Sequence, residues 1–128
     1  IEYRLFSKTL ERIADHISLI SKNYVEAEKE IDADSMEDLL NIGNKVKELL
    51  KKASNAFLEN KINIARETAS EIELFVDEID SSLSKITSKI IEREALTLIR
   101  MILESFKRIT EYSMDICELA INIEKLNK

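Results

Sequence analysis

The chain has 128 residues but no proline and only one glycine, Gly43. These two residues form many of the turns that connect short strands. Their near-absence therefore excludes most β-sandwiches, barrels and folds with glycine-rich phosphate loops. Both residues also interrupt helix interiors, so a chain that almost lacks them suits long helices. The sequence predicts an all-α fold.

Apolar residues recur every three or four positions along four stretches. This period predicts helices over about 2–31, 36–58, 62 to the high eighties, and 91–126. The connections between them are short, which makes neighbouring helices antiparallel and predicts a long antiparallel bundle. The buried stripe predicted for the first helix consists of Leu5, Phe6, Leu10, Ile13, Ile17, Ile20 and Tyr24.

Local features predict how the second helix begins and packs. Ser35, with Asp38 three residues later, resembles a capping box and is expected to start it. Gly43 lies inside this helix, where it costs about 1 kcal/mol relative to alanine. We expect it to mark a close approach of a neighbouring helix.

Few residues are available for catalysis or for soft-metal binding. Cys117 is the only cysteine and His16 the only histidine, which excludes a disulfide framework and zinc sites rich in these residues. We expect His16 at the edge of a helix interface and Cys117 in the core. Nothing assembles into a nucleophile, a base and an oxyanion hole, so an enzyme is not predicted.

The formal charge is −6, which disfavours direct contact with nucleic acid, and no apolar run is long enough to cross a membrane. The chain begins at Ile1, within a helical pattern and without a signal peptide. We expect a fragment of a longer cytoplasmic protein.

Two segments of the chain resemble each other, and we call them the matched segments: Leu10–Ile20 and Phe106–Ile116. An arginine, an isoleucine, an acid and a closing isoleucine recur in register. The first segment contains the run E-R-I-A-D-H at residues 11–16, which resembles a motif of the PhoU family of phosphate-signalling regulators. Further pieces at 42–46, 53–58 and 64–67 are similar to the start of a PhoU repeat.

The resemblance implies an organisation as well as a fold. The family repeat has three helices, with the E-R-I-A-D segment on the last. Residues 1–31 are then the closing helix of a first repeat, and residues 36–128 are a complete second repeat, packed together as one domain. Some archaeal relatives join such repeats to a small DNA-binding domain, so a region upstream of this segment is a candidate for DNA binding.

The resemblance also implies a function. PhoU-like proteins exert negative control over phosphate uptake and phosphate-dependent signalling, and their bacterial partners are a phosphate transporter and a sensor kinase. The implied mechanism is protein–protein binding. We further expect self-association, because the first helix carries a long apolar stripe.

Pairs of acids on the first and fourth helices are candidate metal ligands. At 100° per residue, Glu11 and Asp15 fall about 170° from the centre of the apolar stripe, and Glu111 and Asp115 lie similarly opposite theirs. Carboxylates four residues apart repel each other, and a hard divalent cation would reverse that repulsion. The alternative is that they simply belong to a solvated face.

The family resemblance adds to this site. Some PhoU-like proteins hold metal clusters on acidic motifs, which makes divalent or iron-type metal ions the expected cofactors here. Asp77 and Asp80 resemble the acidic motif of the third helix. Two positions depart from the family pattern: Leu19 and Lys107 stand where acids are expected. Two other functions also stay open. The chain could be a surface-carboxylate metal-binding protein or metal-dependent enzyme, or a structural oligomerisation bundle.

Overall fold

A computed structural model describes residues 1–126, and within that range the chain forms four α-helices and no strand. The helices are α1 (Glu2–Glu28), α2 (Ala33–Leu58), α3 (Ile62–Thr87) and α4 (Arg93–Leu126). The all-α prediction is confirmed, as is the number of helices.

The start of α2 differs from the prediction. The helix begins at Ala33, and its N-terminal cap is Asp32, whose Oδ2 accepts a hydrogen bond from the Ser35 backbone N–H at 3.0 Å. The predicted Ser35–Asp38 capping box is therefore wrong. Aspartate is among the strongest N-cap residues. Because Asp32 caps the helix, α2 begins about one helical turn before the predicted start.

The other connections lack both glycine and proline. Between α2 and α3, Asn60 takes a left-handed φ of 54°, which asparagine tolerates better than most side chains. The Lys61 N–H then donates to the Ala56 carbonyl at 2.9 Å and closes the turn. At the other two connections, α1 ends at Glu28 and α4 begins at Arg93, so both helices are slightly shorter than predicted.

Helix α4 is the centre of the bundle, because it packs against each of the other three helices. Its buried surface includes two small hydroxyl residues, Thr110 and Ser113. Each hydroxyl donates to a carbonyl four residues earlier, at 2.8 Å to Phe106 O and 2.9 Å to Ile109 O. Small side chains with internally satisfied hydroxyls let neighbouring helices approach α4 closely.

Gly43 provides one such approach. A Cβ atom placed on Gly43 would lie 3.0 Å from Cζ of Phe106 on α4. That separation is shorter than ordinary van der Waals contact. The predicted close packing at this glycine is confirmed.

Helix α1 is attached differently from the other helices, because it packs chiefly on α4. The predicted apolar stripe is only partly buried. Of its members, Phe6 and Ile13 are buried, and the other buried residues of α1 are Thr9, Asn23 and Ala27. Leu5, Leu10 and Ile17 are exposed instead. The prediction placed the buried face too far toward these three residues, because it counted apolar side chains and ignored small and polar ones.

The matched segments face each other. Nδ1 of His16 lies 3.2 Å from Oγ of Ser105, and farther along α1, Asn23 lines a groove with Thr97. Rising numbers on α1 thus meet falling numbers on α4, so the two helices are antiparallel. His16 and Tyr112 are aligned in the two segments, and their rings also contact each other, with centroids 6.0 Å apart. Contact between aligned positions is what a local two-fold axis produces.

Candidate functional site

The acid pair on α1 faces solvent. Glu11 and Asp15 are both exposed and lie one helical turn apart, as predicted. Neither carboxylate lies within 4.0 Å of a basic nitrogen among the described residues. The pair is therefore open to solvent cations, and its remaining ligands would be water.

The acid pair on α4 lies in a different environment. Glu111 and Asp115 line a groove of about 400 Å³ between α3 and α4, together with Glu73 of α3. We call it the α3/α4 groove. Partial burial raises the pKa of Asp115, and the positive charges of Arg108 and Arg12 oppose that rise.

Sequence reasoning missed Glu73. It lies one helical turn before Asp77, so helical periodicity could have placed it on the same face. The family resemblance gave no indication of it. The α3/α4 groove also has apolar walls, which Ile72, Val76 and Met114 provide. The α3/α4 groove thus brings three carboxylates together beside an apolar wall.

One of the two α3 acids is paired with a lysine of α4. Asp77 and Asp80 are both exposed, and Oδ1 of Asp80 accepts a hydrogen bond from Lys107 Nζ at 3.1 Å. This hydrogen bond raises the pKa of Lys107. The residue that departs from the family pattern on α4 thus places an ammonium group beside an acid of the motif on α3.

A third acidic group was not predicted from the sequence. Glu30, Glu92 and Glu94 have carboxylate oxygens within 4.8 Å of one another, the one such group of three acids among the side chains that the structure describes. A hydrogen bond with Glu30 raises the pKa of Glu92. The group forms where the α1–α2 connection meets the start of α4, and periodicity along one helix cannot reveal such a contact. All three residues are exposed.

His16 and Cys117 lie where the sequence predicts. His16 is half-buried between α1 and α4, and its contacts there are Ser105 and Tyr112. Cys117 is fully buried, and burial raises the pKa of its thiol to about 12. A thiol with that pKa stays protonated at neutral pH, so Cys117 acts as a packing residue.

Membrane insertion was not expected from the sequence. Within residues 1–126, none of the four helices combines the length and the apolar character that a membrane span requires.

The chain is similar to proteins of phosphate transport. A family model of the PhoU domain matches residues 39–120. Over 120 residues, the chain is 26% identical to the phosphate-specific transport system accessory protein PhoU homolog of Clostridium acetobutylicum. That alignment covers 88% of this chain and 53% of the relative, so the chain spans about half the length of the curated relative that it matches. No solved structure matches the chain significantly. Because the PhoU domain model matches more than half of its length, the chain belongs to the PhoU family.

Proposed function

We propose that this chain is a cytoplasmic regulator that exerts negative control over phosphate uptake and phosphate-dependent signalling by binding other proteins. The observation that carries the proposal is the PhoU family match, which extends from α2 into α4. The relative from Clostridium acetobutylicum is named as an accessory protein of a phosphate-specific transport system. The proposal assigns this chain a phosphate transporter or a phosphate-signalling protein as its partner, and no catalytic step.

The form of the molecule supports docking. Four helices of 26 to 34 residues present long outer faces, and the acid pairs lie on or beside them. The proposal includes the arrangement in which 1–31 is the closing helix of a first repeat and 36–128 is a second one. It draws support from the antiparallel packing of the matched segments.

A complementation assay tests this function. The chain is expressed in a bacterium that lacks its own PhoU protein and carries a reporter of phosphate starvation. We expect the reporter to be repressed again in phosphate-rich medium and the chain to co-purify with the transporter or the sensor kinase. A Leu103→Asp variant, which places a charge in the core, is the inactive control. Full expression of a folded chain with neither effect would contradict the proposal.

Self-association is part of the same proposal. Leu5, Leu10 and Ile17 are exposed on α1, and an apolar surface of this kind favours association. Sedimentation velocity over a range of concentrations should therefore detect a dimer or larger species. Leu10→Lys together with Ile17→Lys should return the chain to the monomer, and a parent chain that remains monomeric at high concentration would contradict the expectation.

A further part of the proposal, supported by the acids, is that divalent or iron-type metal ions modulate the protein. Glu11 with Asp15, and Glu111 with Asp115, are the first candidate ligands, and the exposed Asp77 is a further one. Carboxylates suit hard divalent ions such as Mg²⁺ and Mn²⁺. A bound ion would stabilise the folded chain by RT ln(1 + [L]/Kd).

Asp80 offers a sharper test of metal binding, because its partner Lys107 already neutralises it. In Lys107→Glu, the ammonium is lost and the acid of the family motif is restored. We expect the melting temperature of this variant to rise more with Mn²⁺ than that of the parent. Asp15→Asn with Asp115→Asn should abolish the rise in the parent. Equal responses of all three proteins would mean that the acids are only a solvated face.

A further inference from the structure

Helices α1 and α3 leave the outer side of α4 uncovered along part of its length. The resulting space, which we call the α1/α3 groove, has a volume of about 710 Å³. Its apolar lining comes from all three helices, namely Leu19, Leu83 and Met101. Arg100 and Glu104 of α4 lie one helical turn apart in the same groove. It is separate from the α3/α4 groove that holds the acids.

Asn23 gives this groove a feature that a random surface depression lacks. The residue is only 7% exposed, and it lines the groove. Its side chain makes no hydrogen bond with the described residues. Among those residues, every side-chain polar atom that is fully buried has a hydrogen-bond partner, so the unpaired amide atoms of Asn23 are not fully buried. The amide therefore reaches the open space of the groove. A nearly buried amide without a partner favours any ligand that supplies one.

The shape of the groove favours a helix over a small molecule. Leu19 and Met101 are each 45% exposed, so the apolar walls are open to the outside. A small molecule in an open groove would leave much of its own apolar surface in water. A helix, whose diameter is about 10 Å, would bring a continuous apolar face and cover both walls at once.

Charge narrows the sequence of that helix. Arg100 forms no ion pair with a described residue, although acids are more numerous than bases in this chain. Guanidinium groups bind carboxylates through two parallel hydrogen bonds, which makes an unpaired arginine selective for an acidic partner. Glu104, one turn away, disfavours a second acid at the next turn of the bound helix.

We propose that the α1/α3 groove binds an amphipathic helix of a partner protein, with aliphatic side chains between its walls and one carboxylate at Arg100. A polar group of the same helix pairs with the Asn23 amide. The inference rests on the proposed function in one respect, because it assigns the docking surface through which a regulator of this family would contact the protein that it controls.

Selection from a phage-displayed library of helical peptides tests the proposal directly, with the whole chain as bait. We expect the enriched peptides to carry aliphatic residues one turn apart and a single aspartate or glutamate beside them. Fluorescence anisotropy then gives their affinities. Met101→Lys and Arg100→Glu should each weaken binding by about tenfold or more.

Two matched controls separate the groove from general effects of charge. Leu74 is 70% exposed on α3 and does not line the groove, so Leu74→Lys should leave the affinity unchanged. Arg66→Glu makes the charge change of Arg100→Glu at another exposed site and should also have no effect. Circular dichroism checks that every variant keeps the helicity of the parent.

Three results would overturn the proposal: no enriched peptide, enriched peptides without an acid, or peptides whose affinity is equal for groove and control variants. Failure of the proposed function has a different outcome. If acidic peptides bind at the groove but the same variants control phosphate uptake normally in cells, the groove assignment is supported and its link to phosphate control is contradicted.

Discussion

Helices α1 and α4 contain the matched segments, but the rest of the molecule surrounds them differently. Ile13 and Ile109 are aligned in these segments, and each is 2% exposed. Beyond this shared face the two helices differ, because α2 and α3 also pack on α4. Ser113 of α4 is buried, whereas the aligned Ile17 of α1 is 49% exposed. A repeated pattern therefore predicts the face that the two helices share, while the neighbouring helices decide which other side chains become core.

The largest expected effect on stability comes from a substitution in the core of α4, and it tests whether α4 supports more of the fold than α1 does. Leu103 lies about 160° around α4 from Ser105, which contacts α1, so it packs on the opposite side of that helix. Leu103→Ala should lower the free energy of unfolding by about 2–5 kcal/mol. Urea denaturation measures this loss, and hydrogen exchange should accelerate throughout α2, α3 and α4.

The corresponding change in α1 should have a local effect. Ile13→Ala removes packing between α1 and α4, which is the main interface of α1, although Phe6 of α1 also stacks on Phe57 of α2. Hydrogen exchange should therefore accelerate in α1 while the other three helices stay protected. Uniform acceleration in all four helices would contradict the view that α1 is attached separately.

Much of the fold follows from the sequence, for identifiable reasons. A chain almost without glycine and proline favours long helices, and the strong periodicity of its apolar residues located all four of them. The helix ends were harder to place, because Asp32 and Ser35 are both good N-cap residues and only the hydrogen bond distinguishes them. The buried face of α1 was misjudged because Thr9 and Asn23 are buried where apolar residues were expected.

The candidate site could be predicted only where it lies on one helix. Glu11 and Asp15 are one turn apart, so helical geometry alone placed them together on the solvent face. The contact between Asp80 and Lys107, in contrast, joins two helices whose relative register the sequence does not reveal. The same holds for the α1/α3 groove, which exists because of how α1 lies on α4.

The next largest effect concerns the face of α4 that packs on α2, a contact that the aligned residue of α1 does not make. Phe106 on that face touches the Gly43 position of α2, whereas the aligned Leu10 of α1 is exposed. Alanine in place of glycine gains up to about 1 kcal/mol in a helix interior. In Gly43→Ala the new Cβ lies 3.0 Å from the Phe106 ring, so we expect the parent chain to lose that gain.

A double-mutant cycle measures this coupling. In a Phe106→Leu background the ring is absent, and Gly43→Ala should then raise the free energy of unfolding by up to about 1 kcal/mol. Lys47→Ala, at an exposed position of the same helix, should have equal effects in both backgrounds. Equal effects of Gly43→Ala in both backgrounds would mean that the ring moves aside without cost.

The smallest effect contrasts two carboxyl groups: Glu71, which joins α2 to α3, and Asp115 of α4, which lines the α3/α4 groove. The Glu71 carboxylate accepts hydrogen bonds from Lys52 Nζ at 3.1 Å and from Lys45 Nζ at 3.3 Å, and the bond from Lys52 is the main cause of its lowered pKa. A lowered pKa means that Glu71 stabilises the fold above its unfolded-state pKa, and that this stabilisation is lost as the pH falls through the folded-state value.

Asp115 should show the opposite dependence, because burial raises its pKa and its charged form therefore opposes folding. That penalty applies at neutral pH and disappears as the pH falls through the raised pKa. Glu71→Gln should thus lower the free energy of unfolding at pH 7, by less than about 1 kcal/mol because the Glu71 side chain is 37% exposed and water screens the ion pair, and Asp115→Asn should raise it slightly. Urea denaturation from pH 7 downward should show both differences shrinking, with the Glu71 difference also weakened by salt. Effects of the same sign at pH 7 would contradict this contrast, because they would mean that partial burial in the α3/α4 groove does not disfavour the charge of Asp115.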